Sequence, residues 1–552
     1  MNLSGKIDNN FETLHKLILK SCERNSETIA LIGDGGNGEK IRYRRLAEIV
    51  PKIAGSLHSL GFGKNDRIGI IGENCPGWSI VYLSILAAGA TVVPVDPAMK
   101  ENELVKFFRT ASLKALFCSR KLYDSVKNII LLNGFEIELY VLEQKDSQGL
   151  NRFIGDKLYL EDNINSDDTA VIIFTSGTTG DPKAVNLTHR NLISNIKSII
   201  KSKICSEYER FLSILPLFHT FEATVGFLYC LSSGYTIIYA RALTSKYLLE
   251  DIKNNDITVF LAVPLLYEKI YNAILRKLNS APFIKRNLFK TLYSISRLNK
   301  NLGVKLFKSF RKQAGLGTIT RFISGGAPLS PQIAEWFNTI GIKLLQGYGL
   351  TECSPVVSVN RPKDVRYSSI GSPLPGVDVK IVNPTSDGIG EIVVRGANVT
   401  PGYINNPEAT LELIRDGWLY TGDLGKIENG HIYITGRKKN LIVSGGGKNI
   451  YPEEIETELD LSGLIMESIV YGKTKSGKTG ESICAIIVPD MEVLESIENG
   501  RPGAKRIREL IKIEVDMVNS RLSDYKRIES FEIRLEEFEK TSTRKIKRRL
   551  YV

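Results

Sequence analysis

The chain has 552 residues, 43% apolar and 24% charged, with a formal net charge of +12. That balance belongs to a soluble globular protein too long for one core, so two to four domains or subdomains are expected. No run of about 20 apolar residues occurs, which argues against a membrane span, and the positive charge favours anionic partners without choosing among them.

Seven cysteines lie at 22, 75, 118, 205, 230, 353 and 484, an odd count with no CxxC pair. This argues against a disulfide framework or a zinc site, and a reducing cytoplasm fits best. The opening MNLSGKIDNNFETL has no charged-then-apolar signal pattern. A cytoplasmic location is expected, with the basic surface allowing association with a membrane.

In chain order, Phe11, Leu14, Leu17 and Ile18 predict a helix over 8–20, and Ile41 and Tyr43 a short strand. Helix 43–60 follows, closed by Gly61 and Gly63, then strand 67–71, helix 78–88 and strand 91–95. Helix 101–110 and strands 115–117 and 139–142 repeat the pattern, and 144–168 reads as a polar connection. Further on come a helix near 189–200, an apolar run 211–217, a buried helix 223–232 and strands 235–239 and 259–263. This alternation predicts an α/β fold in layers.

The stretch 266–312 is basic with helical period, and Leu275, Leu278, Leu288, Leu292, Ile295, Leu302 and Phe307 are among its apolar positions. It predicts surface helices over the main core, or a helical surface that also meets membrane or acyl substrate. Residues 365–436 read as a small β-rich subdomain, and a compact α+β domain follows. The expected domains are 1–436 and 437–552.

Three glycine turns punctuate these strands. The first, Thr175-Ser176-Gly177-Thr178-Thr179-Gly180 with Lys183, follows the apolar run 171–174. Its glycines permit tight turns, and consecutive amides with hydroxyls and a lysine make a candidate phosphate cradle. It is not GxxxxGK[ST], because Asp181 and Pro182 intervene before Lys183. The others are Gly325-Gly326-Ala327 in SGGAPLS (324–330) and Gly347-Tyr348-Gly349 in QGYGLTE (346–352).

The segment 174–183 resembles the phosphate-binding signature of the AMP-forming adenylating enzymes, which include acyl-CoA synthetases, peptide-synthetase adenylation domains and luciferases. Thr188-His189, LPLFHT (215–220), SGGAPLS, QGYGLTE, LYTGDLG (419–425) and TGRKKNLIVSGGGKNIYPEEIE (435–456) resemble further family motifs in order. The resemblance covers nearly the whole chain. It implies a large N-terminal α/β region of subdomains and a mobile C-terminal lid.

The resemblance also implies the chemistry. A carboxylate attacks the α-phosphate of ATP, giving an acyl adenylate and pyrophosphate, and a thiol then takes the acyl group. Charge on both attacking and departing groups calls for cations and hydrogen-bond donors. The loop 175–183 would hold the β- and γ-phosphates. Glu352 and Thr175 would stand near Mg²⁺, and Thr351 would contact phosphate.

Further roles are carried over in the same way. His219, expected with Lys545, Thr175 and Glu352 among the catalytic residues, lies in the segment that opens the acyl pocket. Tyr348 would stack on adenine, with Gly325 to Ala327 lining the other side. Asp423 would accept from both ribose hydroxyls, beside Arg437. Lys545 would reach the carboxylate and α-phosphate, though Arg544 precedes it where glycine is usual. Lys439 holds the hinge position, and Gly445, Gly446 and Gly447 would face the pantetheine arm of coenzyme A.

The insertion following AVPLLYEKIYNAI (262–274) is most like long-chain fatty acid-CoA ligases. The expected partners are a fatty acid, ATP, Mg²⁺ and coenzyme A, with peripheral membrane contact and no specific nucleic acid. Two other readings stay open: a fatty acyl-AMP or acyl-carrier-protein ligase, and a non-catalytic nucleotide-binding scaffold. Nothing in the sequence sets an oligomeric state.

Overall fold

The computed structural model describes residues 13–143, 149–175, 182–445, 448–474, 480–498, 500–541 and 546–552. The chain divides into two compact units, one of residues 1–378 with 394–419, the other of 379–393 with 420–552. The fold is mixed α/β.

The first unit is built on two large sheets. Among the described residues one has seven strands. Its centre is parallel, in the order Thr169–Thr175, Thr91–Val95, Arg67–Ile71, Ala115–Cys118 and Glu138–Val141. Lys183–Thr188 and the short Gly402–Tyr403 add antiparallel at one edge. The central strands are almost wholly apolar, as strands covered on both faces must be. Helix Pro76–Ala87 is buried along nearly all its length, which explains why it shows no polar face.

The second sheet has nine strands among the described residues. Six are parallel, in the order Lys343–Gly349, Arg321–Ser324, Val259–Ala262, Arg210–Ser213, Thr236–Tyr239 and Ile29–Ile32. Tyr267, Phe260, Phe322, Phe337 and Trp336 pack under it, with Phe289 and Phe307 from the helical insertion. Ser324 lies beside Gln346, so the turn at Gly325 and the strand end at Gly347 leave the same edge of the sheet.

The alternation read from the sequence is present, with boundaries shifted by a few residues. Helix Leu14–Arg24 starts later than expected, and its N-terminal neighbours 1–12 lie outside the described residues. Strand Ile29–Ile32 and helices Arg120–Leu132 and Ser245–Asn254 are additional. IALI is too short for period to tell strand from helix. The run expected as a plain buried helix opens as a π-helical turn, Glu222–Leu228. In the basic insertion Phe307 is buried and Leu292 half-buried, but Leu288, Ile295 and Leu302 face solvent.

In the second unit, Ile465–Thr474 and Glu481–Pro489 form an antiparallel pair, and Ser530–Ile533 adds parallel to the latter. Helices Pro452–Leu459 and Ala504–Arg521 bury Ile455, Ile507, Ile511 and Val515 against these strands. The basic C-terminal segment is part of this fold. Phe538 is buried beside Ile469 and Val488, and Arg548 donates to Glu456 and to the Val470 carbonyl.

Candidate active site

The phosphate-cradle segment opens from a hairpin. Strands Thr169–Thr175 and Lys183–Thr188 pair antiparallel with Thr175 opposite Lys183. The Thr175 hydroxyl donates to the Lys183 carbonyl at 3.4 Å. Pairing therefore fixes both ends of the loop. Ser176, Gly177, Thr178, Thr179 and Gly180 themselves lie outside the described residues.

The short strand Gly402–Tyr403 lies against this hairpin, with Tyr403 opposite Val185. Lys183 Nζ sits 5.0 Å above the Tyr403 ring centroid, within cation–π range. The Tyr403 hydroxyl donates to Glu352 Oε1 at 2.8 Å. Burial, and then the Glu352 carboxylate, push the phenol far above its ordinary range, so it stays a donor. Ammonium, ring and carboxylate thus form one chain from three distant parts of the sequence.

Glu352 is fixed by its backbone as well. It lies in the 3-10 turn Thr351–Cys353 that follows strand Lys343–Gly349, and its carbonyl accepts from the Thr400 amide at 2.8 Å. The Thr400 hydroxyl donates to the Asn186 carbonyl, and Asn191 of helix His189–Lys201 donates to the carbonyls of Ala397 and Val399. Thr351 and Thr220 hydroxyls are 3.3 Å apart. That contact joins the TE pair to the segment carrying His219, whose ring packs on Phe218 at 4.3 Å.

The two other glycine turns stand at the C-terminal ends of neighbouring parallel strands, the usual ligand edge of an open α/β sheet. Gly325 is there for space: a Cβ would meet the Phe221 ring at 2.8 Å. Gly326 and Ala327 are exposed, and Tyr348 is half-exposed opposite Ser358. Gly349 passes so close to the Pro355 carbonyl that no side chain fits.

In the second unit Asp423 and Arg437 face each other across an antiparallel hairpin. Arg437 Nε donates to the buried Asp423 carboxylate at 2.8 Å. The Asp423 amide donates to Thr421 Oγ1, and the Gly422 amide to Glu391 Oε1, whose partner oxygen takes Lys438. Lys439 is held below its ordinary value by desolvation, then by Arg437 and Arg548. Lys540 and Ile546 pair across a bridge. Lys545, Gly446 and Gly447 lie outside the described residues.

A family model described as AMP-binding enzyme matches residues 18–404. The chain belongs to that family. It is an adenylate-forming acyl ligase. It is 29% identical to a long-chain-fatty-acid–CoA ligase of Bacillus subtilis (strain 168), over 98% of this chain and 94% of that protein. It is 28% identical to a chloroplastic long-chain-fatty-acid–acyl-carrier-protein ligase of Arabidopsis thaliana, over 87% and 76%. Its fold is similar to that of ATP-bound MatB from Rhodopseudomonas palustris, with a TM-score of 0.77, 25% identity and coverage of 97% and 98%.

Several residues around these turns carry no signal in the linear pattern. Tyr403 and Thr400 fall in a stretch that reads only as glycine-rich β structure. Glu222 is hidden in an apolar run, yet it is fully buried. Ser213 Oγ donates to Glu222 Oε1 at 2.6 Å, and Asn74 Nδ2 donates to the same serine at 3.0 Å. Asn74 also accepts from the Leu217 amide, so this network holds the segment leading to His219. Burial raises the Glu222 carboxyl to about 8. His189, by contrast, is a framework residue: it is buried, accepts from the Leu14 amide, and burial lowers it to about 4.

Proposed function

We propose that the chain activates a long-chain fatty acid with ATP and passes it to coenzyme A, giving acyl-CoA, AMP and pyrophosphate. The observation that carries the reading is the Lys183–Tyr403–Glu352 chain beside the Thr175–Lys183 hairpin. Adenylation needs a cation for the departing pyrophosphate and a carboxylate held in a fixed orientation nearby. Lys183 meets the first need. Tyr403 meets the second by donating to one oxygen of Glu352.

The donor set suits Mg²⁺. Glu352 and Thr175 offer hard oxygen atoms, and no cluster of three His, Cys, Asp or Glu competes for a metal among the described residues. One protein carboxylate with phosphate oxygens and water is the usual way this ion is bound. Bound there, it would neutralise phosphate charge. Asp423 and Arg437 are proposed to hold the ribose, Tyr348 the adenine, and Lys545 the reacting carboxylate and α-phosphate. Gly446 and Gly447 are proposed to admit the pantetheine arm, with residues 437–552 moving as a lid between the half-reactions.

The acyl class rests on three supports: the buried wall from Ala223 to Leu231, the helical insertion, and relatives named as long-chain-fatty-acid ligases. Each methylene buried there would contribute about 0.8 kcal/mol. Peripheral contact with lipid belongs to the same reading. The Arabidopsis relative's name favours a second reading, transfer to a carrier protein. Retention of Lys183, Glu352, Asp423, Arg437 and Lys545 argues against a non-catalytic scaffold.

The test is an assay with ATP, Mg²⁺ and CoA across acids from acetate to long fatty and aryl acids. AMP and acyl-CoA from long acids alone are expected. Adenylate without thioester would turn the reading to a carrier protein, and no turnover to a scaffold.

A further inference from the structure

The helix Phe283–Leu298 has two apolar faces. One packs inward, with Phe289 and Ser296 buried and Leu292 and Tyr293 half-buried on the core. The other lies in solvent: Ile284 is 79% exposed, Leu288 57%, Ile295 43% and Leu298 91%. With Thr291 these positions are spaced four and three apart, so they fall in one stripe about 80° wide. Phe283 is exposed at the head of the stripe, and exposed Lys285, Lys290 and Arg297 flank it. A globular helix ordinarily shows solvent a polar face, so a second apolar stripe marks a surface that something covers.

The charge around the stripe says what. From Lys269 to Ala334 the chain has thirteen Lys and Arg and no Asp or Glu. This stretch alone accounts for the whole net charge of +12. Arg297 is paired with Glu335 at 3.0 Å, which leaves Lys285 and Lys290 as the cations beside the stripe. An exposed apolar stripe bordered by such cations is the pattern of a helix lying in the headgroup region of an anionic bilayer. A second copy of the chain fits less well, because a symmetric contact would set the same cations against themselves.

We propose that the Ile284–Leu298 stripe with Lys285 and Lys290 is a docking surface for an anionic lipid bilayer. It gives the peripheral contact named above a definite place. The fatty-acyl reading supplies its purpose, since long-chain acids partition into membranes, but docking itself needs neither ATP nor acid.

The experiment is sedimentation of the full chain, without ATP, with vesicles of phosphatidylcholine alone or mixed with phosphatidylglycerol. Binding to the mixed vesicles, weakened by salt, is expected. Lys285→Ala with Lys290→Ala should lower that affinity about thirtyfold. Ile284→Ser with Leu288→Ser should lower it too, with an unchanged melting temperature. Equal binding to neutral vesicles, or binding indifferent to both double variants, would overturn the proposal. So would self-association that the serine variant abolishes in the absence of lipid, which would assign the stripe to a second copy. If no acid is turned over while vesicle binding behaves as described, the fatty-acyl reading fails and the docking surface stands.

Discussion

The Tyr403 hydroxyl donates to Glu352 Oε1 at 2.8 Å while the Tyr403 ring lies 5.0 Å beneath Lys183 Nζ. One side chain therefore touches both charged groups of the proposed phosphate site. Tyr403→Phe keeps the ring and loses the donor. A hydrogen bond to a charged group contributes roughly 1.5–3 kcal/mol, so acid-dependent pyrophosphate–ATP exchange should fall about tenfold or more. Tyr403→Leu also removes the cation–π contact and should fall further. Full activity in Tyr403→Phe would make the contact merely structural.

Asp423 is buried and its arginine partner is half-exposed. Removing Arg437 leaves a buried carboxylate short of its counter-charge, which costs more than the pair itself contributes. Arg437→Ala should lower the melting temperature and raise KM for ATP, whereas Asp423→Asn should raise KM with a smaller thermal effect. Equal thermal losses in the two variants would contradict this assignment of roles.

Lys545→Ala should cripple adenylation far more than conversion of supplied acyl adenylate to thioester. The lysine is proposed to act only while the carboxylate attacks phosphate. Measuring the two half-reactions separately checks this, and equal loss of both would remove the role.

Glu222 links stability to pH. Its folded value is about 8 against 4.5 for an ordinary glutamate. Between those limits the folded chain keeps a proton that the unfolded chain has released. The contribution of Glu222 is therefore full below about pH 4.5, declines as pH rises and is gone above about 8, at no more than about 1.4 kcal/mol per pH unit. Glu222→Gln cannot ionise. Its melting temperature, relative to the native chain, should climb across that window and then level off. A constant difference would mean Glu222 is ionised throughout.

The glycine turns, the first with Lys183, were legible because each is a local run of residue types with a chemical meaning, whereas Glu352 and Asp423 were singled out through the family resemblance. The Thr175–Lys183 hairpin follows the same logic: an apolar strand enters a polar glycine loop and another strand leaves it. Tyr403 was not legible. It is one aromatic residue in GYINN, and its importance comes from strand Gly402–Tyr403 adding to the edge beside Val185. Glu222 was missed because an apolar run with one acid reads as apolar. Only the Ser213 and Asn74 contacts reveal why a carboxyl is tolerated there.

The sequence by itself determined the α/β alternation and, through its ordered motifs, the resemblance to the adenylating family. Strand and helix periods, turn residues and ionisable groups are properties of neighbours along the chain. The tertiary structure alone decided which distant groups meet: Lys183, Glu352 and Tyr403, separated by up to 220 positions, share one cluster. It also decided which apolar face of helix Phe283–Leu298 is buried. Period says that residues share a face, but only packing against the rest of the chain says whether that face meets the core or the solvent.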